Sequence, residues 1–126
     1  MFNLELRAGP EIDVSYRRHS FHYAVDGSAP NPLEAFYASL AGCAGVFAKK
    51  ACAALGISDE GIAIDLRPVV RPGNPMIPER IVTTVCFPEH FDADTKAKIL
   101  DSISYCAVKE VVRLGADIEF AVVEAA

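Results

Sequence analysis

The stretch Pro30-Asn31-Pro32-Leu33-Glu34-Ala35-Phe36-Tyr37-Ala38-Ser39-Leu40-Ala41-Gly42-Cys43 decides the fold. Asn31 is a helix-capping residue type, and Pro32 fills the first helical position, where no N–H is needed. Glu34 stands three residues after the cap, where its carboxylate can return a hydrogen bond. Apolar residues recur at Leu33, Phe36, Tyr37, Leu40, Ala44, Phe47, Ala48 and Ala51 as far as Leu55. Gly56 then supplies the left-handed residue that commonly ends a helix. This pattern predicts one long, apolar helix, which must lie centrally, wrapped by a sheet or by a partner subunit.

Working outward, the N-terminal side carries short alternating runs at residues 2–6, 12–16 and 21–25, broken by Ala8-Gly9-Pro10 and Asp26-Gly27-Ser28. These read as three strands. On the other side, residues 61–70 and 80–87 read as a hairpin, and the prolines and glycine of residues 71–78 predict an irregular loop without regular pairing. Asp92 or Asp94 can cap a helix through Ile99 and Ile103. A second short helix starts at Cys106 or Ala107 and stops at Gly115, and residues 117–123 close as a last strand. The expected order, β-β-β-α-β-β-α-α-β, is that of an α+β fold with one dominant helix.

The 126 residues fit one domain, spanning 1–126, with a single hydrophobic core. Hydrophobic residues make up 52% and charged residues 23%, the mixture of a folded protein rather than a disordered one. A net charge of −5 with no run of Lys and Arg argues against nucleic acid as a partner. Glu5 and Arg7 interrupt the first apolar stretch, so it lacks the form of a signal peptide, and a cytoplasmic location is expected. The most apolar stretch, residues 35–48, is fourteen residues long against the ~20 of a membrane span, so no membrane is expected as a partner. Four cysteines in a reducing compartment are not a disulfide framework, and any disulfide there would be transient.

Cys43 sits mid-helix between Gly42 and Gly45, two residues that each cost ~1 kcal/mol relative to alanine in a helix. Either the glycines let another group approach the thiol, or they serve tight packing around a buried cysteine. Cys106 lies at a junction of two helices, where its sulfur could feel the unpaired N–H groups of a helix N-terminus, an environment that favours a thiolate. The alternative is a small apolar plug. Cys52 falls on the other side of the long helix from Cys43, about half a turn round, and reads as core. Cys86 shares a strand face with Val82 and Thr84 and reads as structural filler. The cysteines and His19, His22 and His90 lack the short paired spacings of a zinc site, so no metal is expected. None of the histidines reads as a catalytic base, and no phosphate-binding glycine loop is present.

Taken together, residues 30–43 and the second cysteine at Cys106, sixty-three positions on, resemble the OsmC and organic hydroperoxide resistance family over roughly residues 20–126. The resemblance implies a mixed sheet wrapped around a long central helix and an intertwined homodimer with a two-cysteine site at its interface. It implies Cys43 as the peroxidatic thiolate, which becomes a sulfenic acid, and Cys106 as the resolving thiol that condenses with it to a disulfide. It implies a small-molecule peroxide as substrate and a dithiol or lipoyl group as reductant, with no cofactor. This chain departs from the hydroperoxide-resistance members in three places. Leu33 stands where they have a glutamate, Ala107 stands where a proline usually follows the second cysteine, and the N-terminal region is short. Glu34 suits the capping role rather than that of the missing glutamate, and Arg17 and Arg18 are the nearest candidates for the arginine that assists the thiolate.

Two readings of function follow. One is a thiol-dependent peroxidase acting on organic hydroperoxides or hydrogen peroxide through Cys43 and Cys106. The other is a non-catalytic protein that binds a small hydrophobic ligand at the dimer interface, or senses redox state, with the cysteines as lining.

Overall fold

The structure is a computed structural model, and it describes residues 1–123. The elements in chain order are β1 (Glu11–Tyr16), β2 (His19–Ala24), α1 (Pro32–Leu55), β3 (Ala63–Arg71), β4 (Asn74–Cys86), α2 (Ala93–Ser104) and α3 (Ala107–Leu114). The α+β class and the dominant helix are as the sequence predicts. The strands, however, form two separate antiparallel pairs, β1 with β2 and β3 with β4, instead of one mixed sheet.

The long helix starts as its sequence dictates. The Glu34 backbone N–H donates to Asn31 Oδ1 (2.9 Å), and the Asn31 N–H donates to Glu34 Oε1 (3.2 Å), closing a reciprocal cap. Gly56 ends the helix at φ +69°, a conformation that a side chain would strain. Leu40, Ala44, Ala48 and Cys52 recur every four residues and form its buried stripe. With 24 residues, α1 is long and apolar enough to cross a membrane by length and composition, longer than the fourteen-residue stretch alone indicates. Its buried stripe instead packs against α2, α3 and β3.

The core lies at the C-terminal half of α1, where Ala48, Cys52, Phe91 and Ile99 are buried together and Ile62, Ile64, Phe87 and Ile103 pack around them. Asp92 caps α2, its Oδ1 accepting from the Thr95 N–H (2.7 Å). Ser102 Oγ donates to the Phe47 carbonyl (3.1 Å), which fixes the last turn of α2 on α1.

Three expectations are corrected. Residues 2–6 form no strand: Asn3 alone bridges to Ser15, and Phe2 stacks on Tyr16 with ring centroids 4.2 Å apart. Residues 117–123 lie in no helix and no ladder among the described residues. Their alternation of apolar and acidic residues is genuine, yet a strand exists only where a neighbour satisfies its backbone, and the described residues offer none there. Finally, residues 71–78 do not form an irregular loop. Arg71 pairs with Asn74 across a two-residue turn, in which Gly73 takes φ +79°, and the prolines of β4 are absorbed by shifts in register around Val70.

Candidate functional site

The site is built where α1, α2 and α3 meet. Cys43 is half-buried on α1, one residue before the buried Ala44 and one turn before Phe47. Because Ser102 anchors α2 at that turn, the chain leaving α2 passes directly over Cys43. Tyr105 turns the chain, its N–H donating to the Ser102 carbonyl (3.1 Å), and the Cys106 N–H donates to the Ile103 carbonyl (3.2 Å). Cys106 then caps α3 with its own carbonyl, which accepts from the Glu110 N–H (3.1 Å), while no side chain caps the first turn. Lys109 Nζ donates to the Ser104 carbonyl (3.1 Å) and ties α3 back to the end of α2.

The outcome is a Cα–Cα distance of 5.9 Å between Cys43 and Cys106, inside the range that a disulfide spans, and the two sulfurs are bonded. Cys106 is 4% exposed. Beside it opens a cavity of about 490 Å³ between α1, α3 and the β3–β4 hairpin, walled by Leu40, Leu66, Ile81 and Ile103. Arg80, Lys109 and Arg113 bring positive charge to this cavity. Arg113 is held by Glu110 (2.7 Å), and the hydrogen bond from the guanidinium keeps the Glu110 carboxyl below the usual carboxylate range.

The other sequence candidates divide. Cys52 is core as expected, and burial pushes its thiol up, with Asp59 adding to the shift. Cys86 is exposed and free, not the filler that its strand position predicts, because among the described residues no further strand pairs with or covers the two-stranded hairpin there. Arg17 and Arg18 form the tip of the β1–β2 hairpin and do not border the Cys106 cavity. Arg17 takes φ +53° there with its guanidinium over the Tyr16 ring. Glu34 is the cap and nothing more is needed to explain it. A Cβ added at Gly42 or Gly45 would meet no described atom within 4 Å, so neither glycine serves a close approach within this chain. Among the described residues, no three His, Cys, Asp or Glu side chains converge as a metal site would require.

One cluster was missed from sequence. Asp13 and His22 are register partners across β1–β2, and His22 Nδ1 lies 2.7 Å from Asp13 Oδ1 while Arg7 donates to Asp13 Oδ2 (2.8 Å). The hydrogen bond to Asp13 raises the His22 pKa above its ordinary 6.5, and the same bond lowers Asp13. The signal was present in part, since placing the hairpin turn at Arg17-Arg18 pairs these two residues automatically.

The α+β chain thus carries a bonded cysteine pair on the flank of its long helix. A family model, that of the OsmC-like protein, matches residues 25–121, and the chain belongs to this family. Among solved structures, one described only as structural genomics is similar with TM-score 0.74 and 14% identity, over 91% of this chain and 90% of that one. A second is from Psychrobacter arcticus 273-4, described as a candidate osmotic stress induced and detoxification response protein. It is similar with TM-score 0.70 and 14% identity over 86% and 85% of the two chains. A hypothetical protein from Aquifex aeolicus VF5 is similar with TM-score 0.68 and 19% identity over 93% and 89%. At these identities the likeness is one of fold. No curated protein matches the chain.

Proposed function

We propose that this protein is a cysteine-based peroxidase of the cytoplasm, reducing organic hydroperoxides or hydrogen peroxide through Cys43 and Cys106. The observation that carries the reading is the bonded contact of two sulfurs that are 63 positions apart in sequence, beside a cavity large enough for a small organic molecule. Cys43 is the more accessible of the two and takes the nucleophile's part. Its thiolate attacks the peroxide O–O bond, giving Cys43 sulfenic acid and, with one proton, the alcohol or water. The Cys106 thiol then attacks that sulfur, expelling water and forming the disulfide. A dithiol, for which a lipoyl group is one candidate, returns two electrons and two protons and leaves oxidised.

The active form in this proposal is a homodimer. Gly42 and Gly45 border open space in one chain, and the helix cost of two glycines is accounted for if a second copy approaches there. Ile118, Phe120 and Val122 are 78%, 93% and 95% exposed in a segment that lies in no ladder among the described residues, a liability in water that pairing with another copy removes.

Turnover tests the reading. Purified protein should consume cumene hydroperoxide or hydrogen peroxide with dihydrolipoamide, and Cys43→Ser should abolish it; consumption that survives Cys43→Ser overturns the proposal. The cavity also favours a second reading, a carrier for a small hydrophobic ligand, since Leu33 replaces the glutamate of the hydroperoxide-resistance members. That reading requires a ligand whose affinity is intact in Cys43→Ala.

A further inference from the structure

The Cys43–Cys106 bond has two unlike ends. Cys43 is half-buried, whereas Cys106 is nearly sealed from solvent and borders the cavity. An external thiolate therefore reaches Cys43 first, and the sulfur that must leave is Cys106. A thiolate leaving into an apolar wall is costly unless a cation receives it.

The charges around that cavity come from two elements. The walls from α1, β3 and α2 contribute none, β4 contributes Glu79 and Arg80, and α3 contributes Lys109 and Arg113, with Glu110 behind Arg113. Lys109 is engaged by the Ser104 carbonyl and Arg113 by Glu110. Arg80 has no hydrogen-bond or ion-pair partner among the described residues. Its position follows from the bulge in β4. Val69 pairs with Arg80 and Val70 with Pro78, so Glu79 is an extra residue, and four consecutive residues, Pro78 to Ile81, border the cavity where a regular strand would turn alternate ones away.

We propose that Arg80 is the positioning counter-ion that receives Cys106 as a thiolate when a dithiol attacks Cys43, and that it thereby sets the rate at which the pair is re-reduced. This rests on the reading of the pair as one cycled by a dithiol. In the step, the reductant's thiolate forms a bond to Cys43 Sγ as the Cys43–Cys106 bond breaks, and the electron pair leaves on Cys106. The reductant's second thiol, giving its proton to water, then displaces Cys43. The reductant ends as a disulfide, and both cysteines end reduced, Cys106 as a thiolate facing Arg80. The unpaired N–H groups at the start of α3 act in the same direction.

The test uses the oxidised protein and dithiothreitol without peroxide, so it fails or succeeds apart from peroxidase turnover. Arg80→Met should slow disulfide reduction about three- to tenfold, because a leaving thiol of higher pKa leaves more slowly. Arg80→Lys should restore most of the rate, and in a Cys43→Ser background Arg80→Met should move the pH dependence of Cys106 alkylation by iodoacetamide to higher pH. An unchanged rate in Arg80→Met overturns the proposal. So does equal slowing in Arg80→Met and Arg80→Lys, which would mark a role of shape, or a larger effect from Lys109→Met.

Discussion

Cys43 and Cys106 lie with their Cα atoms 5.9 Å apart although 63 positions of chain separate them, and the contact is made by helix docking, not by a local turn. Ser102 on the Phe47 carbonyl and the turn at Tyr105 hold the same approach by contacts other than the bond itself. A frame held by other contacts is what the proposed reversible chemistry of the pair requires.

The bond should nonetheless be felt in stability. Closing a loop of this length removes entropy from the unfolded chain worth about 4 kcal/mol in the chain-entropy model, an upper figure for a reducible pair. Thermal denaturation with and without a phosphine reductant should show the oxidised form melting several degrees higher. Cys106→Ser should melt at the same temperature under both conditions.

His22 gives a pH dependence of definite sign. Its folded pKa is raised above 6.5 by the hydrogen bond to Asp13, with Glu11 3.9 Å from Nε2 adding to it. Its contribution is therefore complete below the unfolded pKa and is lost as pH rises through the folded value. Asp13, lowered from 3.8, contributes above its unfolded pKa and loses that contribution as pH falls through its folded value. Melting temperature should decline from pH 6 to 8 in the wild type, by a small amount because both groups are solvent-accessible. His22→Gln should flatten this decline.

Ile99 is fully buried in the core cluster beside Cys52 and Phe91. Ile99→Ala should cost about 2–5 kcal/mol, read by urea denaturation, because it leaves a cavity that helices α1 and α2 cannot close without breaking their own packing.

At the other end of α1, Asn31→Ala removes one half of the reciprocal cap. It should cost about 1 kcal/mol. Tyr37→Phe should cost little or raise the melting temperature, since the Tyr37 hydroxyl is buried without a protein partner among the described residues.

Local rules carried the helices. The Asn-Pro-Leu-Glu start, Gly56, Asp92 and Gly115 each act within a few residues, so α1, α2 and α3 were legible to within a residue or two. The meeting of Cys43 with Cys106 was legible only through family resemblance, because no periodicity relates two residues on different helices. The strands were less readable. Residues 2–6 and 117–123 have strand composition, but pairing depends on what lies beside them, and β4 continues through Pro75 and Pro78 because a two-stranded sheet lets a proline face solvent. The Asp13–His22 contact and the place of Arg80 on the wall of the Cys106 cavity both depend on register, which a single sequence does not fix.

The most direct measurement is a titration of the fully reduced protein with one equivalent of hydrogen peroxide, followed by proteolysis and mass mapping under acid quench. The account predicts a single cross-linked peptide joining Cys43 to Cys106 and two hydrogens lighter than its parts, with Cys52 and Cys86 still reduced. Peroxide that leaves Cys43 and Cys106 unlinked, or that joins either of them to Cys86 instead, would contradict it.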